Sequence, residues 1–359
     1  MHRSGTSALA GLLSQMGAIA PKNLLPPTTE NPKGYWESKP IMQLNDDILK
    51  ELGSKWSDWR SIDFGSFPAE TIESITDRTR LILTKEFPEL DNAMIKDPRF
   101  CKLLPVLQEV LYDKKVNLLP VIIVRNPLEV SQSLASRGDM GVYEGALLWL
   151  RHMLDAERST RHLQRVFISF EELMAETNTV INKVLNFQES LGLKLLKKNT
   201  DEHFINVKLR KQRSGNLDLK YNNYIVGWLL QAVEAFEILI NVNSNIKQVS
   251  LAFNTLDKIT DGLNNGESLW GKTYDEIGLK LKHYKKFLGT PPFKEDSLKA
   301  LLFSTEKKLA KSESDKVNFE ALYKRNQVEL SSAEANISQK DGTIETLKAD
   351  LNGAQANIS

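Results

Sequence analysis

The 359-residue sequence is short of three features that would each indicate a class of protein: cysteine, an excess of charge of one sign, and a long apolar run. Its single cysteine, Cys101, excludes an intrachain disulfide framework and suits a reducing compartment. With 47 basic and 46 acidic side chains, the chain offers no electrostatic reason to expect a nucleic acid or an acidic membrane as its partner. No apolar stretch approaches the about 20 residues that cross a bilayer, and no basic-then-apolar leader is present. These absences predict a soluble cytoplasmic protein with no transmembrane segment and no nucleic-acid partner.

The first half of the chain alternates between strand-like and helix-like segments. Residues 120–124 (PVIIV) form a β-branched run, which suits a strand buried on both faces of a parallel sheet. Residues 166–170 (VFISF) supply a second candidate strand, and apolar residues between 103 and 111 recur at helical spacing. Alternating strands and helices are typical of a doubly wound sheet. We therefore predict the α/β class, a parallel sheet flanked by helices, for residues 1–215.

Strand character is lost in the rest of the chain. Residues 216–288 carry apolar side chains at helical spacing, most clearly from Val226 to Ile240, and are predicted to form a helical extension. Residues 289–359 open with a GTPP breaker and are predicted to form a linker and a charged tail. An apolar residue returns there at every seventh position, at Leu330, Ile337, Ile344, Leu351 and Ile358. The heptads predict a short coiled coil and self-association through 330–358, with a solvated single helix or disorder as the alternative.

The chain opens with a segment, HRSGTS at residues 2–7, that is typical of anion binding. A glycine turn followed by hydroxyl residues and an amphipathic helix places free backbone N–H groups beside an anion. Apolar residues follow at helical spacing, and Gly17 provides a stop. The Gly-Lys-Ser/Thr ending of nucleoside triphosphatase loops is absent. We predict a P-loop-like phosphate-binding loop whose leading strand is missing, with a simple helix cap as the alternative.

A second polar pair follows the best candidate strand. Arg125 ends that strand, and Ser133 lies eight residues later on the predicted helix after it. The carboxyl end of a parallel strand is where open α/β sheets bind ligands, and the planar fork of an arginine suits a phosphate. The pair predicts a second phosphate site. A surface arginine and a helix serine without a shared ligand are the alternative.

Together these segments resemble the sulfotransferases that use 3′-phosphoadenosine 5′-phosphosulfate, in particular a bacterial, carbohydrate-type branch. Residues 2–7 look like the 5′-phosphosulfate loop of that family, and Arg125 with Ser133 looks like its 3′-phosphate site. Three further segments are similar to segments of the family: ENPKGYWE at 30–37, KDPR at 96–99 and SFEEL at 169–173. The Arg-Lys-Gly loop of many cytosolic members is absent, and LRKQRSG at 209–215 is either a loose equivalent or a solvated basic turn.

The resemblance implies a sulfotransferase that moves a sulfuryl group in line from 3′-phosphoadenosine 5′-phosphosulfate to a hydroxyl of a carbohydrate or similar acceptor. Positioning and charge stabilisation then dominate the chemistry, and no metal is required. The implied cofactor-binding residues are those of the loop and of the second site, namely Arg3, Ser4, Gly5, Thr6, Ser7, Arg125, Ser133 and Arg210.

The resemblance also implies catalytic roles. Arg3 stands just before the glycine turn and is expected to offset charge on the leaving phosphate. Glu37 is the first choice for the general base, because its aromatic neighbours would desolvate the carboxyl and raise its pKa. Glu30 is the reserve and His2 a weaker candidate. The alternative for Glu37 is a surface carboxylate beside a buried Trp36.

Two other functions remain open from the sequence. One is a P-loop kinase-like phosphotransferase, which predicts a Gly-Lys-Ser/Thr loop and an acidic strand end that holds magnesium. The other is a non-catalytic nucleotide-binding or assembly module with a coiled-coil tail, which predicts anion binding without turnover.

Overall fold

The computed structural model describes residues 1–29, 31–138, 140–193, 196, 205 and 223–288, and within the last range it describes the side chains of 225–268. Contacts divide the chain into two compact units, Met1–Thr273 and Tyr274–Ser359, and the candidate site belongs to the first. Some sequence predictions therefore fall outside the described residues: the roles of Glu30 and Arg210 and the coiled coil at 330–358.

A small parallel sheet lies at the centre of the first unit. Strand β1 (Val121–Val124) pairs with β2 (Val166–Ser169), and Ile123 lies opposite Ile168. These two isoleucines pack into one apolar cluster, whereas Phe167 belongs to a cluster on the opposite face. Both predicted strands are thus present, and apolar residues cover the sheet on both faces. Continuous β-branched runs are what such burial requires.

Helices make up most of the described chain. Their bounds in chain order are α1 (Thr6–Gln15), α2 (Lys39–Glu51), α3 (Ala69–Glu86), α4 (Phe100–Asp113), α5 (Pro127–Ala135), α6 (Val142–Thr160), α7 (Phe170–Ala175), α8 (Thr177–Ser190), α9 (Asn223–Ile240) and α10 (Ile246–Leu288). A mostly helical chain with a two-stranded parallel sheet in its described part is compatible with the predicted α/β class. None of the helices in those described ranges has the length and apolar character that crossing a bilayer demands.

Helix α1 is amphipathic and ends where the sequence predicts. Leu9 and Leu12 are buried in the cluster that also contains Ile123 and Ile168 of the sheet. Gly17 has a φ of 103°, a left-handed conformation that glycine adopts without a steric cost, and its N–H bonds to the carbonyl of Ser14 at 3.0 Å.

Helices α9 and α10 share a core with α6. Trp149 of α6 is fully buried and meets the ring of Phe236 of α9 edge-on, with ring centroids 6.2 Å apart. Leu256 of α10 is buried in the same cluster. A charge network joins the helices as well, because Arg161 is bonded to both Glu157 and Asp257. Apolar side chains between Leu229 and Leu263, within the region predicted as a helical extension, are therefore packed on α6.

A strand-like pair of segments lies near α1. The N–H of Ile19 donates to the carbonyl of Asn92 at 2.8 Å, and the N–H of Met94 donates to the carbonyl of Ile19 at 2.8 Å. This pattern forms an isolated parallel bridge between Ile19 and Ala93. Residues 93–95 are the apolar stretch that immediately precedes Lys96.

Candidate functional site

The amino end of α1 is open to an anion. Gly5 precedes the helix with a φ of 87°, and no side chain in the described residues caps it. The first helical hydrogen bond runs from the N–H of Leu9 to the carbonyl of Gly5, at 3.1 Å. The N–H groups of Thr6, Ser7 and Ala8 therefore come before the first intrahelical bond. These donors and the helix dipole both favour a negatively charged group at this point.

Phe170 holds the glycine turn in place. A Cβ atom on Gly5 would lie 2.5 Å from Cδ2 of the Phe170 ring, so only glycine fits against this ring. The guanidinium of Arg125 stacks on the same ring, 4.1 Å from its centroid. Phe170 is fixed at the start of α7 by a capping box between Ser169 and Glu172. One aromatic ring thus supports both predicted phosphate sites.

The structure brings Arg3, Arg125 and Ser133 together. Nε of Arg3 donates to Oγ of Ser133 at 2.8 Å, and Nη1 of Arg125 donates to the carbonyl of Arg3 at 2.9 Å. Ser133 is buried on α5, whose start just after Arg125 follows from Asn126 as the cap and Pro127 at the first helical position. The loop and the β1–α5 junction therefore form one cluster.

Glu129 positions Arg125 within this cluster. Its buried carboxylate accepts hydrogen bonds from Nε of Arg125 at 3.0 Å and from Nη2 at 2.8 Å. Glu129 is not among the site residues that the sequence predicts. The signal that could have found it is the spacing of four residues on one helix face, at which an arginine and a glutamate meet.

The side chain of Arg3 links the loop to α5. Arg3 is predicted to offset charge on the leaving phosphate, and its side chain donates to Ser133, in the predicted 3′-phosphate site. The backbone of Arg3 has a φ of 62°, which is uncommon for any residue except glycine. Trp36, beside the candidate base, has a φ of 60°. Such conformations cost free energy and concentrate at functional sites.

A second cluster surrounds Glu37. The ammonium group of Lys96 forms an ion pair with this carboxylate and donates to the carbonyl of Tyr35 at 3.0 Å and to Oγ of Ser7 at 3.3 Å. Ser7 also donates to the carbonyl of Tyr35, at 3.3 Å. Burial raises the pKa of Glu37, and the positive charge of Lys96 opposes that rise. The predicted base is therefore buried and lies beside the loop, rather than on the surface.

Lys96, in the KDPR segment at 96–99, is not among the site residues that the sequence predicts. The sequence feature that could have identified Lys96 is its position directly after the apolar residues 93–95, just as Arg125 directly follows β1. No feature of the sequence could have predicted the role of Phe170, because its contact with Gly5 depends on how α1 and α7 pack.

The remaining predicted residues lie as follows. The ring of His2 packs against Trp56, with centroids 4.6 Å apart, and burial lowers the pKa of His2 well below its ordinary value. His2 is therefore a neutral side chain near pH 7. Ser4 is fully buried, and its hydroxyl has no hydrogen-bond partner among the described residues.

Comparisons with protein-family models, with curated proteins and with solved structures find no match to this chain. In the described part of the chain, no group of three or more His, Cys, Asp or Glu side chains is arranged to hold a metal ion.

Proposed function

We propose that the chain is a sulfotransferase that takes a sulfuryl group from 3′-phosphoadenosine 5′-phosphosulfate and delivers it to a hydroxyl of a carbohydrate or similar acceptor. The observation that carries the proposal is the contact of Arg3 with Ser133 and Arg125, since it joins the glycine loop to the β1–α5 junction. The acceptor class rests on the family resemblance alone.

The chemistry of the donor groups fits an anion with two phosphate groups. One set comprises two guanidinium groups and a serine hydroxyl, at Arg3, Arg125 and Ser133, and suits the 3′-phosphate. The other set comprises the N–H groups at the start of α1 and the ammonium group of Lys96, which suit the phosphosulfate. The buried hydroxyl of Ser4, which lacks a partner among the described residues, is a further polar group beside the loop.

Sulfuryl transfer needs a base and a group that offsets charge on the leaving phosphate. When bound, the donor supplies an activated sulfuryl group, whose S–O bond to the 5′-phosphate breaks as the acceptor oxygen bonds to sulfur. Glu37 accepts the proton of the acceptor hydroxyl, and its burial makes its carboxylate a stronger base than an exposed one. Lys96 orients Glu37 and offsets negative charge beside Ser7, where the loop holds the leaving phosphate.

The binding part of the proposal is tested with adenosine 3′,5′-bisphosphate by isothermal titration calorimetry. We expect Ser133→Ala to bind this probe about 10- to 100-fold more weakly, which is the effect of losing one hydrogen bond to a charged group. Ser131→Ala is the matched control, because Ser131 is a buried serine on the same helix whose hydroxyl bonds to the carbonyl of Leu128. Equal affinity of the two variants for the bisphosphate would exclude Ser133 and its neighbours as the 3′-phosphate site.

The catalytic part is tested with labelled donor and a panel of saccharides. Glu37→Gln should retain bisphosphate binding and lose transfer by about 100- to 10,000-fold, the usual contribution of a general base. Full transfer by Glu37→Gln would exclude Glu37 as the base. Bisphosphate binding without transfer to any hydroxyl acceptor by the unaltered protein would favour the non-catalytic binding module.

A further inference from the structure

Glu86 is a buried acidic residue that has no part in the proposed chemistry. It is the last residue of α3, and only 2% of its surface is exposed. Its side-chain partners among the described residues are neutral: the backbone N–H of Asn23 at 3.1 Å, the side-chain amide of Asn23 at 2.6 Å and the hydroxyl of Ser38 at 2.8 Å. A carboxyl group is costly to bury unless its oxygens accept hydrogen bonds, so these three bonds keep Glu86 inside the protein.

The donors to Glu86 lie on the two segments that fix the backbone of the candidate base. These segments, residues 23–25 and 37–39, pair in the antiparallel direction. Within the pair, the N–H of Leu25 donates to the carbonyl of Glu37 at 2.8 Å. Glu86 accepts hydrogen bonds from one residue of each segment, so its carboxyl group holds the two segments together. The position of Glu37 therefore depends on hydrogen bonds that its own side chain does not make.

The backbone on both sides of Glu37 is constrained. Trp36, directly before it, has a φ of 60°, a conformation that costs free energy and persists only where the surrounding structure holds it. Ser38, directly after it, begins α2, and its hydroxyl accepts from the N–H of Ile41 at 3.1 Å while it donates to Glu86. Glu86 thus fixes the helix start that follows the base, and the strained residue precedes the base.

The side chain of Glu37 has little room for displacement. It forms an ion pair with Lys96, whose ammonium group also donates to Ser7 at 3.3 Å. The base and the glycine loop are therefore joined by one short chain of contacts. A misplacement on the order of 1 Å at a reacting group costs about 100-fold in rate, so a residue that fixes the backbone of the base affects the rate without touching a substrate.

We propose that Glu86 is a positioning residue for Glu37. Its carboxyl group ties residues 23–25 to residues 37–39 and so keeps the base in contact with Lys96 beside the glycine loop. It acts through its hydrogen bonds rather than through its charge, because its partners are an amide, a backbone N–H and a hydroxyl. The inference rests on the proposed role of Glu37 as the general base, and its tests separate the two proposals.

The first test follows the backbone of the base by hydrogen–deuterium exchange and contains no substrate. Glu86→Leu removes both acceptor oxygens and keeps a side chain of similar size. We expect the amide of Leu25, which is bonded to the carbonyl of Glu37, to exchange at least about tenfold faster in this variant. The amide of Val166 in the central sheet is the internal reference for global unfolding. An equal rise at Leu25 and Val166, or no rise at Leu25, would overturn the proposal.

Glu86→Gln is the matched control. Its amide oxygen replaces the oxygen that accepts from Ser38 and from the backbone N–H of Asn23. Its NH₂ group meets the side chain of Asn23, whose amide turns round to accept the bond. The exchange rate of the Leu25 amide in Glu86→Gln should therefore stay close to that of the unaltered protein. A rise as large as in Glu86→Leu would assign the effect to the charge of Glu86 and overturn the proposal.

The second test measures transfer with labelled donor and saccharide acceptors. Glu86→Leu should lower kcat about 10- to 100-fold and leave the affinity for adenosine 3′,5′-bisphosphate unchanged, whereas Glu86→Gln should restore kcat. An unchanged kcat in Glu86→Leu would overturn the proposal. No transfer by the unaltered protein would overturn the proposed function instead, and the exchange of Leu25 would still decide whether Glu86 fixes the segment.

A second variant serves if Glu86→Leu does not fold. Ser38→Ala removes the hydroxyl that joins the start of α2 to Glu86. Its control is Asn245→Ala, which removes a side-chain cap of the same kind at the start of α10. Only Ser38→Ala should speed the exchange of the Leu25 amide relative to that of Val166, and equal behaviour of the two variants would overturn the proposal.

Discussion

Replacing Gly5 with alanine tests whether the glycine turn is held against Phe170. A residue other than glycine at a φ of 87° costs about 1–2 kcal/mol. The new Cβ would also lie 2.5 Å from the Phe170 ring, and forcing extra volume into a packed core costs about 1–3 kcal/mol more. We therefore expect Gly5→Ala to lower the free energy of unfolding by about 2–5 kcal/mol, a large part of the about 5–15 kcal/mol that stabilises a typical domain.

Gly17, which follows the carboxyl end of α1, provides the matched control. It has a φ of 103° at the other end of α1, and a Cβ there would meet no described atom within 4 Å. Gly17→Ala should therefore cost only the backbone part, about 1–2 kcal/mol. Urea denaturation of both variants gives the two free energies, provided that the slope against urea concentration stays unchanged.

A double-mutant cycle separates the steric part from the backbone part. Adding Phe170→Leu to Gly5→Ala should recover some of the steric cost, because the smaller side chain leaves room for the Cβ, and the coupling energy should be about 0.5–3 kcal/mol. The backbone cost should remain. If Gly5→Ala destabilises the protein no more than Gly17→Ala does, the close approach of Phe170 to the loop is wrong.

Three further predictions concern the helices and the candidate base. Glu157 is buried and bonded to two arginines, so Glu157→Ala should lower the free energy of unfolding in urea by about 3–5 kcal/mol. Asp257→Asn, at the exposed side of the network, should lower it by less than about 1 kcal/mol, and similar losses in the two variants would argue against a buried ion pair. Gly266→Ala should raise the melting temperature, because alanine favours a helix and a Cβ at position 266 would meet no described atom within 4 Å. Gly262→Ala should not raise it, because a Cβ at position 262 would lie 2.7 Å from the ring of Trp228. Burial raises the pKa of Glu37, so acidification should lower the kcat/KM of the proposed transfer already at a pH above about 4.3, the ordinary pKa of a glutamate. A kcat/KM that falls only at or below that pH would exclude Glu37 as the base.

Local patterns identified most of the elements that carry the site. The β-branched run at 120–124 and the second run at 166–170 contain β1 and β2, because apolar residues on both faces of a strand leave a continuous signal in the sequence. Gly17 ended α1 as expected, because the left-handed turn after a helix favours glycine. Asn126 and Pro127 start α5 for the equally local reasons of capping and a preset φ.

Contacts between distant residues were only partly foreseen. The family resemblance grouped Arg125 and Ser133 with the loop, and the structure brings them into contact with Arg3. The resemblance did not predict the contact of Arg3 with Ser133 or the ion pair of Glu37 with Lys96. Those contacts depend on how the loop, α5 and residues 93–95 meet in three dimensions.

The sequence by itself determined where strands, helices and turns form, since these follow from the spacing of apolar residues, from caps and from the conformational freedom of glycine over a few neighbouring positions. It also determined which residue types stand at the ends of those elements. Only the tertiary structure decided that Phe170 supports both Gly5 and Arg125, that Lys96 holds Glu37 beside Ser7, and that Glu86 joins Asn23 to Ser38. The physical reason is that burial and packing act between segments far apart in the chain, and no local pattern records which segments will meet.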